Sequence, residues 1–328
     1  VNWTDYTNKD LPLPGTLIPG KFGYRRIPAA EYHAFPAISA GLLKCDTPAE
    51  MFAKLTTPQK DTDALTDGTL VHMAVLEPQT SWASAFALAD IPINPRTGLP
   101  YGESTKKGEE AWALAREAHP GKIIVTEESL KEHLKTCRQL QQALHMNEDA
   151  MSELQDFEGE VSGILFHPRW NCWVKWRPDI LPKHMRYLPD VKTTRRHPRQ
   201  FEKDCWEYGY HLQAVWYAHL HELLLSAINI SVTKTPFIVL AKDQEGRAPR
   251  PPMCRVADLP LDPSLNRGVK FARLALGIPE GLSRVDRFLE CARQYVEAGE
   301  PQDFAGIRRC WPAYEFEQGE TGRWVLAD

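Results

Sequence analysis

The sequence predicts a single α/β domain whose short strands lie in the middle of the chain between helical regions. Three observations predict it. Apolar residues recur at helical spacing in several segments before residue 145. Between residues 160 and 194 the pattern changes to three short runs rich in β-branched and aromatic residues, separated by Pro, Asn and His. One long helical segment follows the last run, and further strand-like runs come after it, with no repeat and no linker that demands a second domain.

In chain order, residues 1–30 are rich in Pro and Gly and read as an irregular N-terminal arm, followed by one domain over residues 31–328. "SAGLLKCDTPAEMFAKL" reads as helical, with Ser39 as N-cap and a second start at "DTPAE", where Pro48 suits the first turn. In "DALTDGTLVHMAVLEP" the residues Leu65, Leu70, Val71, Ala74 and Val75 recur at helical spacing until Pro78 stops the helix. Residues 90–108 read as loop, and helices follow over 109–119 and 127–144, the first ended by "HPG". The runs "EVSGILFH", "NCWVKWRPDIL" and "RYLPDVKTT" read as three strands of an antiparallel meander. "PRQFEKDCWEYGYHLQAVWYAHLHELLL" reads as a long helix broken near Gly209. Strands at "PFIVLAK" and near "MCRVADL" and a helix near "SRVDRFLECARQYVEAG" complete the chain.

Composition narrows the function. At 328 residues and 43% hydrophobic the chain buries a large core, and it contains no run of eighteen apolar residues, so no membrane role is expected. The opening "VNWTDYTNKDLPLPG" has neither the basic nor the apolar region of a secretory leader. Seven cysteines lie far apart, are odd in number and form no C-x-x-C pair, which predicts reduced thiols in a cytoplasm and argues against a zinc ribbon. The formal charge of -4 excludes a global basic field. Any nucleic-acid contact would use a local groove such as "KTTRRHPR" at 192–199, while "EDAMSELQDFEGE" at 148–160 is strongly acidic. The ten tryptophans are better placed in the core than on nucleic acid.

The chemistry-bearing pattern is "WRPDIL" followed by "LPDVKTT". Residues two apart on a strand share a face, so Trp173, Lys175, Arg177 and Asp179 fall on one side of the second run, and Asp190 and Lys192 fall together on the third. Val191 then points its side chain to the opposite, buried face. Two carboxylates can hold Mg²⁺ or Mn²⁺, which lower the pKa of bound water and neutralise charge on a phosphate, and a lysine can stabilise what remains. A D-x-K tripeptide alone is most simply a cross-strand ion pair. Its surroundings decide.

"GTLVH" at 68–72, Glu160 at a strand start, "RPD" at 177–179, "DVKTT" at 190–194 and "GYHLQAVWY" at 209–217 come in a fixed order. In that order the chain resembles the PD-(D/E)XK exonucleases of the RecE and lambda-exonuclease type, most closely RecE. The resemblance runs from about residue 30 to the C-terminus and includes "ARQYVEAGEPQDFAGIRRCWPAYE". It implies a restriction-endonuclease-like core, a central mixed sheet flanked by helices. Asp179 and Asp190 would bind metal, Val191 would lend its carbonyl, and Lys192 would be the catalytic lysine. His72 would complete the metal site, and Glu160 would join the catalytic acids, binding metal directly or through water.

The same resemblance gives Gln213 and Tyr217, four apart on one helix face, a role in contacting DNA or supporting the site. It places Ser39 and Lys44 near the pocket for a terminal phosphate. Arg195 and Arg196 leave the active strand directly and are placed to meet phosphates. The implied activity is 5′-to-3′ digestion of one strand from double-stranded DNA ends, with two Mg²⁺ or Mn²⁺ ions per site, 5′-mononucleotide products and a 3′ single-stranded tail. The implied partners are a phage-type single-strand annealing protein and further copies of the chain in a homo-trimeric or homo-tetrameric ring. Two alternatives stand beside it: a RecB-like nuclease acting on single-stranded ends, and a catalytically silent DNA-binding protein of the same fold. The scattered cysteines argue against the iron-sulfur cluster that many RecB-like enzymes carry.

Overall fold

The computed structural model describes residues 3–44, 54, 63–77, 83, 85–168, 170–226, 234–241, 253–260, 316–318 and 324–326. Residues 3–30, within the expected N-terminal arm, hold little regular structure: helix α1 (Trp3–Thr7) and the two-residue strands β1 (Thr16–Leu17) and β2 (Arg25–Arg26). Tyr6, Ile18, Tyr24 and Ile27 bury their side chains in the core. Burying large apolar groups outweighs the low helix and strand propensity of a Pro- and Gly-rich segment.

Helices α2 (Ala29–Ala34), α3 (Ala40–Leu43) and α4 (Asp63–Leu76) follow. The expected second helix start at "DTPAE" lies outside the described residues. Next come β3 (Phe86–Leu88), α5 (Lys106–Ala118), β4 (Ile123–Val125), α6 (Glu127–His145) and α7 (Glu148–Glu153). The last three helices share one start device. Thr105, Thr126 and Asn147 accept hydrogen bonds from the N–H groups of Gly108, Ser129 and Ala150. The Thr105 cap moves the start of α5 three residues ahead of the predicted Glu109.

The strand region contains β5 (Phe157–Gly159), β6 (Gly163–His167), β7 (Cys172–Trp176), β8 (Ile180–Pro182) and β9 (Asp190–Thr194). A 3-10 turn (Pro198–Gln200), α8 (Phe201–Glu207) and α9 (Tyr210–Leu225) lead to β10 (Lys234–Ala241) and β11 (Met253–Pro260). The short pair β12 (Phe316–Gln318) and β13 (Trp324–Leu326) comes last. The helix expected near "SRVDRFLECARQYVEAG" and the segment "ARQYVEAGEPQDFAGIRRCWPAYE" lie outside the described residues.

The predicted meander is only half right. β6 and β7 pair antiparallel, but β8 pairs with β5, and β9 pairs in parallel with β10 in the order β11-β10-β9. Pro178, Pro182 and Pro189 interrupt the run between β7 and β9 and remove donors from any ladder there. The helices between β9 and β10 make the crossover that a parallel pair requires. Because β10 also pairs antiparallel with β11, this sheet is mixed.

Helices cover both of its faces. Val191, Ile238 and Leu240 pack with Leu70, Val71 and Val75 of α4 and with Leu140 and Leu144 of α6. Phe237 and Val239, on the opposite face, pack with Phe201 and Cys205 of α8 and Ala214 of α9. A fully buried aliphatic side chain contributes about 1.5–3 kcal/mol. This alternation therefore sets which groups of β9 remain for chemistry. Among the described residues no helix is long and apolar enough to cross a membrane.

Candidate metal centre

Four elements converge at the free edge of β9. The N–H and carbonyl of Val191 both project from that edge, away from β10. The N–H donates to Asp179 Oδ2 at 2.7 Å, and the carbonyl accepts from His72 Nε2 at 3.2 Å. The Val191 side chain is fully buried. Asp179 therefore takes the place on this edge that a neighbouring strand would otherwise fill, and α4 delivers His72 to the same point.

His72 also donates from Nδ1 to Glu160 Oε1 at 3.2 Å, and its Nε2 lies 3.6 Å from Asp179 Oδ2. One ligand atom each from His72, Glu160 and Asp179 lies within 4.8 Å of the others, so the three could hold a metal ion. The carboxylate and carbonyl oxygens suit a hard divalent cation such as magnesium or manganese, and the imidazole adds a softer nitrogen donor. Asp190, predicted beside Asp179, is not in this trio. Its Oδ2 meets the ammonium of Lys192, and its Oδ1 accepts from Gln213 Nε2 at 3.5 Å.

Charge is concentrated here. Burial, and then repulsion from Asp190, push the Asp179 carboxyl up to about 7 against the pull of His72 and Lys192. Burial disfavours a proton on His72, but Asp179 and the Glu160 hydrogen bond outweigh it and raise the ring to about 9. Burial would raise Glu160, yet the contacts to His72 and Arg177 hold it below the usual carboxylate range. Burial likewise opposes the Lys192 charge, and Asp190 and Asp179 overcome it, so the ammonium stays protonated. A ring that ligates metal through Nε2 has to shed its proton first, which links metal uptake to proton release.

The remaining predicted residues divide. Lys44 donates to Gln213 Oε1 at 3.3 Å, which joins Lys44, Gln213, Asp190 and Lys192 in one chain of contacts. Burial, then the Lys192 charge, lower Lys44 to about 8. Ser39 stands at the N-cap of α3, but its hydroxyl makes no capping bond. Burial, then Tyr32, raise the Tyr217 phenol well above its ordinary value, against the pull of a hydrogen bond from the Arg177 main chain. Arg195 is exposed. Arg196 is held by Asp204 and Glu207, and Asp204 also accepts from Thr194, so this arginine secures the end of β9.

Two expectations from strand periodicity fail. β7 ends at Trp176, so Asp179 reaches the site from the loop before β8 and not from the face of a continuous strand. Lys175 turns away and donates to the carbonyls of Tyr32, His33 and Phe35 at 2.7, 3.1 and 2.7 Å. The last carbonyls of α2, which have no helical donor, are a better partner for a buried ammonium than a site already holding Lys192. One neighbour escaped the sequence reading. The ring of Tyr210 lies 5.3 Å from the ammonium groups of both Lys44 and Lys192. Its only signal was its place after Gly209, whose φ of +63° starts α9.

A family model described as "PDDEXK-like domain of unknown function (DUF3799)" matches residues 37–247. A crystal structure from Eubacterium rectale, described as "Putative exonuclease", is 12% identical and covers 88% of this chain and 89% of its own, with a TM-score of 0.49. That likeness is too distant to carry an argument. No curated protein matches the chain. The family match spans more than half of the sequence and includes Pro178-Asp179, Asp190-Val191-Lys192, His72 and Glu160, and the chain belongs to the PDDEXK-like family DUF3799, a domain of unknown function.

Proposed function

We propose that the chain is a divalent-metal-dependent exodeoxyribonuclease that digests one strand of double-stranded DNA from a 5′ end, releasing 5′-mononucleotides and leaving a 3′ single-stranded tail. The observation that carries the hydrolytic reading is the convergence of His72, Glu160 and Asp179 on the Val191 carbonyl, beside the Lys192–Asp190 pair. The polarity and the products rest on the resemblance of the ordered motifs to RecE-type exonucleases. A homo-trimeric or homo-tetrameric ring and a single-strand annealing partner belong to the same proposal.

His72, Glu160, Asp179 and the Val191 carbonyl would hold Mg²⁺ or Mn²⁺, and Asp190 would join a second ion. Bound there, the metal supplies Lewis-acid polarisation of a phosphate oxygen and a more acidic water. The chain's own groups do the rest. Lys192, kept protonated by its two aspartates, presents a fixed ammonium to the charge that builds on the phosphate. Asp190 orients that ammonium, and Gln213 in turn donates to Asp190. Lys44, with Ser39 near it in sequence, and the exposed Arg195 would bind DNA phosphates on the approach.

The test uses linear duplex DNA labelled at the 5′ or the 3′ end, incubated with Mg²⁺ or with EDTA. Digestion is expected from the 5′ end only, absent in EDTA and absent in Lys192→Ala and Asp179→Ala. Metal-independent digestion, or full activity in both variants, refutes the mechanism. Digestion from the 3′ end refutes the polarity and leaves the metal centre in place. Equal attack on closed circular DNA identifies an endonuclease instead.

A further inference from the structure

Glu160, like Asp179, is a donor of the trio that lies outside regular structure. It lies between Gly159, the last residue of β5, and Gly163, the first of β6, with a φ of +50°. A side chain larger than glycine's persists in that conformation only where its surroundings impose it. The Glu160 N–H donates to the Asp179 carbonyl at 3.2 Å, and Oε1 accepts from His72. The second oxygen, Oε2, accepts from Arg177 Nε at 3.0 Å.

Arg177 is itself anchored by the N-terminal region. Its Nη1 donates to the Ile27 carbonyl at 3.1 Å, and its guanidinium lies 5.5 Å from the centre of the Tyr32 ring. The Lys175 ammonium lies 5.0 Å from the centre of the same ring while capping the end of α2. The main chain on both sides of Glu160 is tied to the same region, because Arg26 pairs with Glu158 and Arg25 exchanges hydrogen bonds with Ser162.

We propose that Arg177 is a positioning residue of the metal centre, holding the Glu160 carboxylate toward His72 and Asp179 and fixed in turn by residues 27–35. The inference rests on the trio being a metal centre, and it can be separated from that reading by sign. A guanidinium beside a ligand oxygen repels a divalent cation, so if Arg177 acted through charge alone its removal would tighten metal binding. Positioning predicts the reverse.

The experiment titrates Mn²⁺ into the full chain by calorimetry, with free Mn²⁺ followed by electron paramagnetic resonance and folding followed by far-ultraviolet circular dichroism. Wild type is compared with Arg177→Ala, Arg177→Lys, Glu160→Gln and the Arg177→Ala/Glu160→Gln double variant. Arg177→Ala is expected to weaken Mn²⁺ binding by about 10- to 100-fold, the range found for partners of metal-ligating groups. Arg177→Lys, which keeps the charge without the forked contact, is expected to fall between. In the Glu160→Gln background, Arg177→Ala is expected to add less than about a further two-fold loss, because the carboxylate it orients is gone. Unchanged or tighter binding by folded Arg177→Ala, or fully additive losses in the double variant, overturns the proposal. Should Arg177→Ala not fold, unchanged affinity in Arg177→Lys overturns it. A wild-type protein that takes no Mn²⁺ refutes the metal centre itself.

Discussion

Acidification of His221 gives a prediction whose size can be worked from the structure. His221 is fully buried, donates from Nε2 to the Met185 carbonyl at 2.8 Å, and accepts at Nδ1 from the Tyr24 hydroxyl at 2.7 Å. Tyr24 in turn accepts from Trp176 Nε1 at 2.8 Å. Every partner is matched while the ring is neutral, and a second proton on Nδ1 would face the Tyr24 hydroxyl hydrogen. Burial lowers the ring from 6.5 to about 4. Between these values the unfolded chain binds more protons than the folded one, so the contribution is complete above about pH 6.5 and is lost as pH falls toward 4. The separation, at about 1.4 kcal/mol per pH unit, comes to about 3 kcal/mol. The assay is urea unfolding of wild type and His221→Gln at several pH values from 8 to 4. His221→Gln is less stable at pH 8, since Tyr24 loses its acceptor. The gap between the two proteins should close by about 3 kcal/mol on acidification. A gap that stays constant across this range refutes the reasoning, because other titrating groups affect both proteins alike.

Two further outcomes are expected. A Cβ on Gly163 would overlap the indole of Trp176, which is fully buried and tied to Tyr24, so Gly163→Ala should cost about 1–3 kcal/mol or more in urea unfolding. A loss under about 0.5 kcal/mol would show that the indole can shift. Lys192→Met leaves the buried Asp190 carboxylate without its cation and should cost about 3–5 kcal/mol, most of it recovered when Asp190→Asn is added. A double variant as unstable as Lys192→Met alone would mean that the cost lies in packing.

Much of the site's local geometry was legible because it depends on neighbours in sequence. Alternation alone separates Val191 from Asp190 and Lys192, and a glycine in a helical run marks the break before α9. What alternation cannot report is which strand lies alongside. β9 reads equally well as the third strand of a meander or as a partner of β10, since the choice depends on Ile238 and Leu240 meeting Val191 across a long crossover. The partners of Lys175 and Arg196 were hidden for a related reason. Each looks like a free cation in the sequence, and each finds acceptors whose position only the fold supplies, the carbonyls at the end of α2 in one case and Asp204 with Glu207 in the other. Glu160 was visible as a residue, but its φ and its bond to Arg177 were not.

The donors to one point on β9 come from far apart in the chain. His72 meets Glu160 across 88 residues and the Val191 carbonyl across 119. Closing loops of that size is slow and gains nothing until the contacts at their ends are made. Nor is β9 held in place before β10 has returned alongside it, beyond α8 and α9. A half-folded or truncated chain therefore carries the motif residues without the geometry that joins them. Affinity for a metal ion at this point would then appear only once those distant segments have closed on it, so metal uptake would report on completed folding.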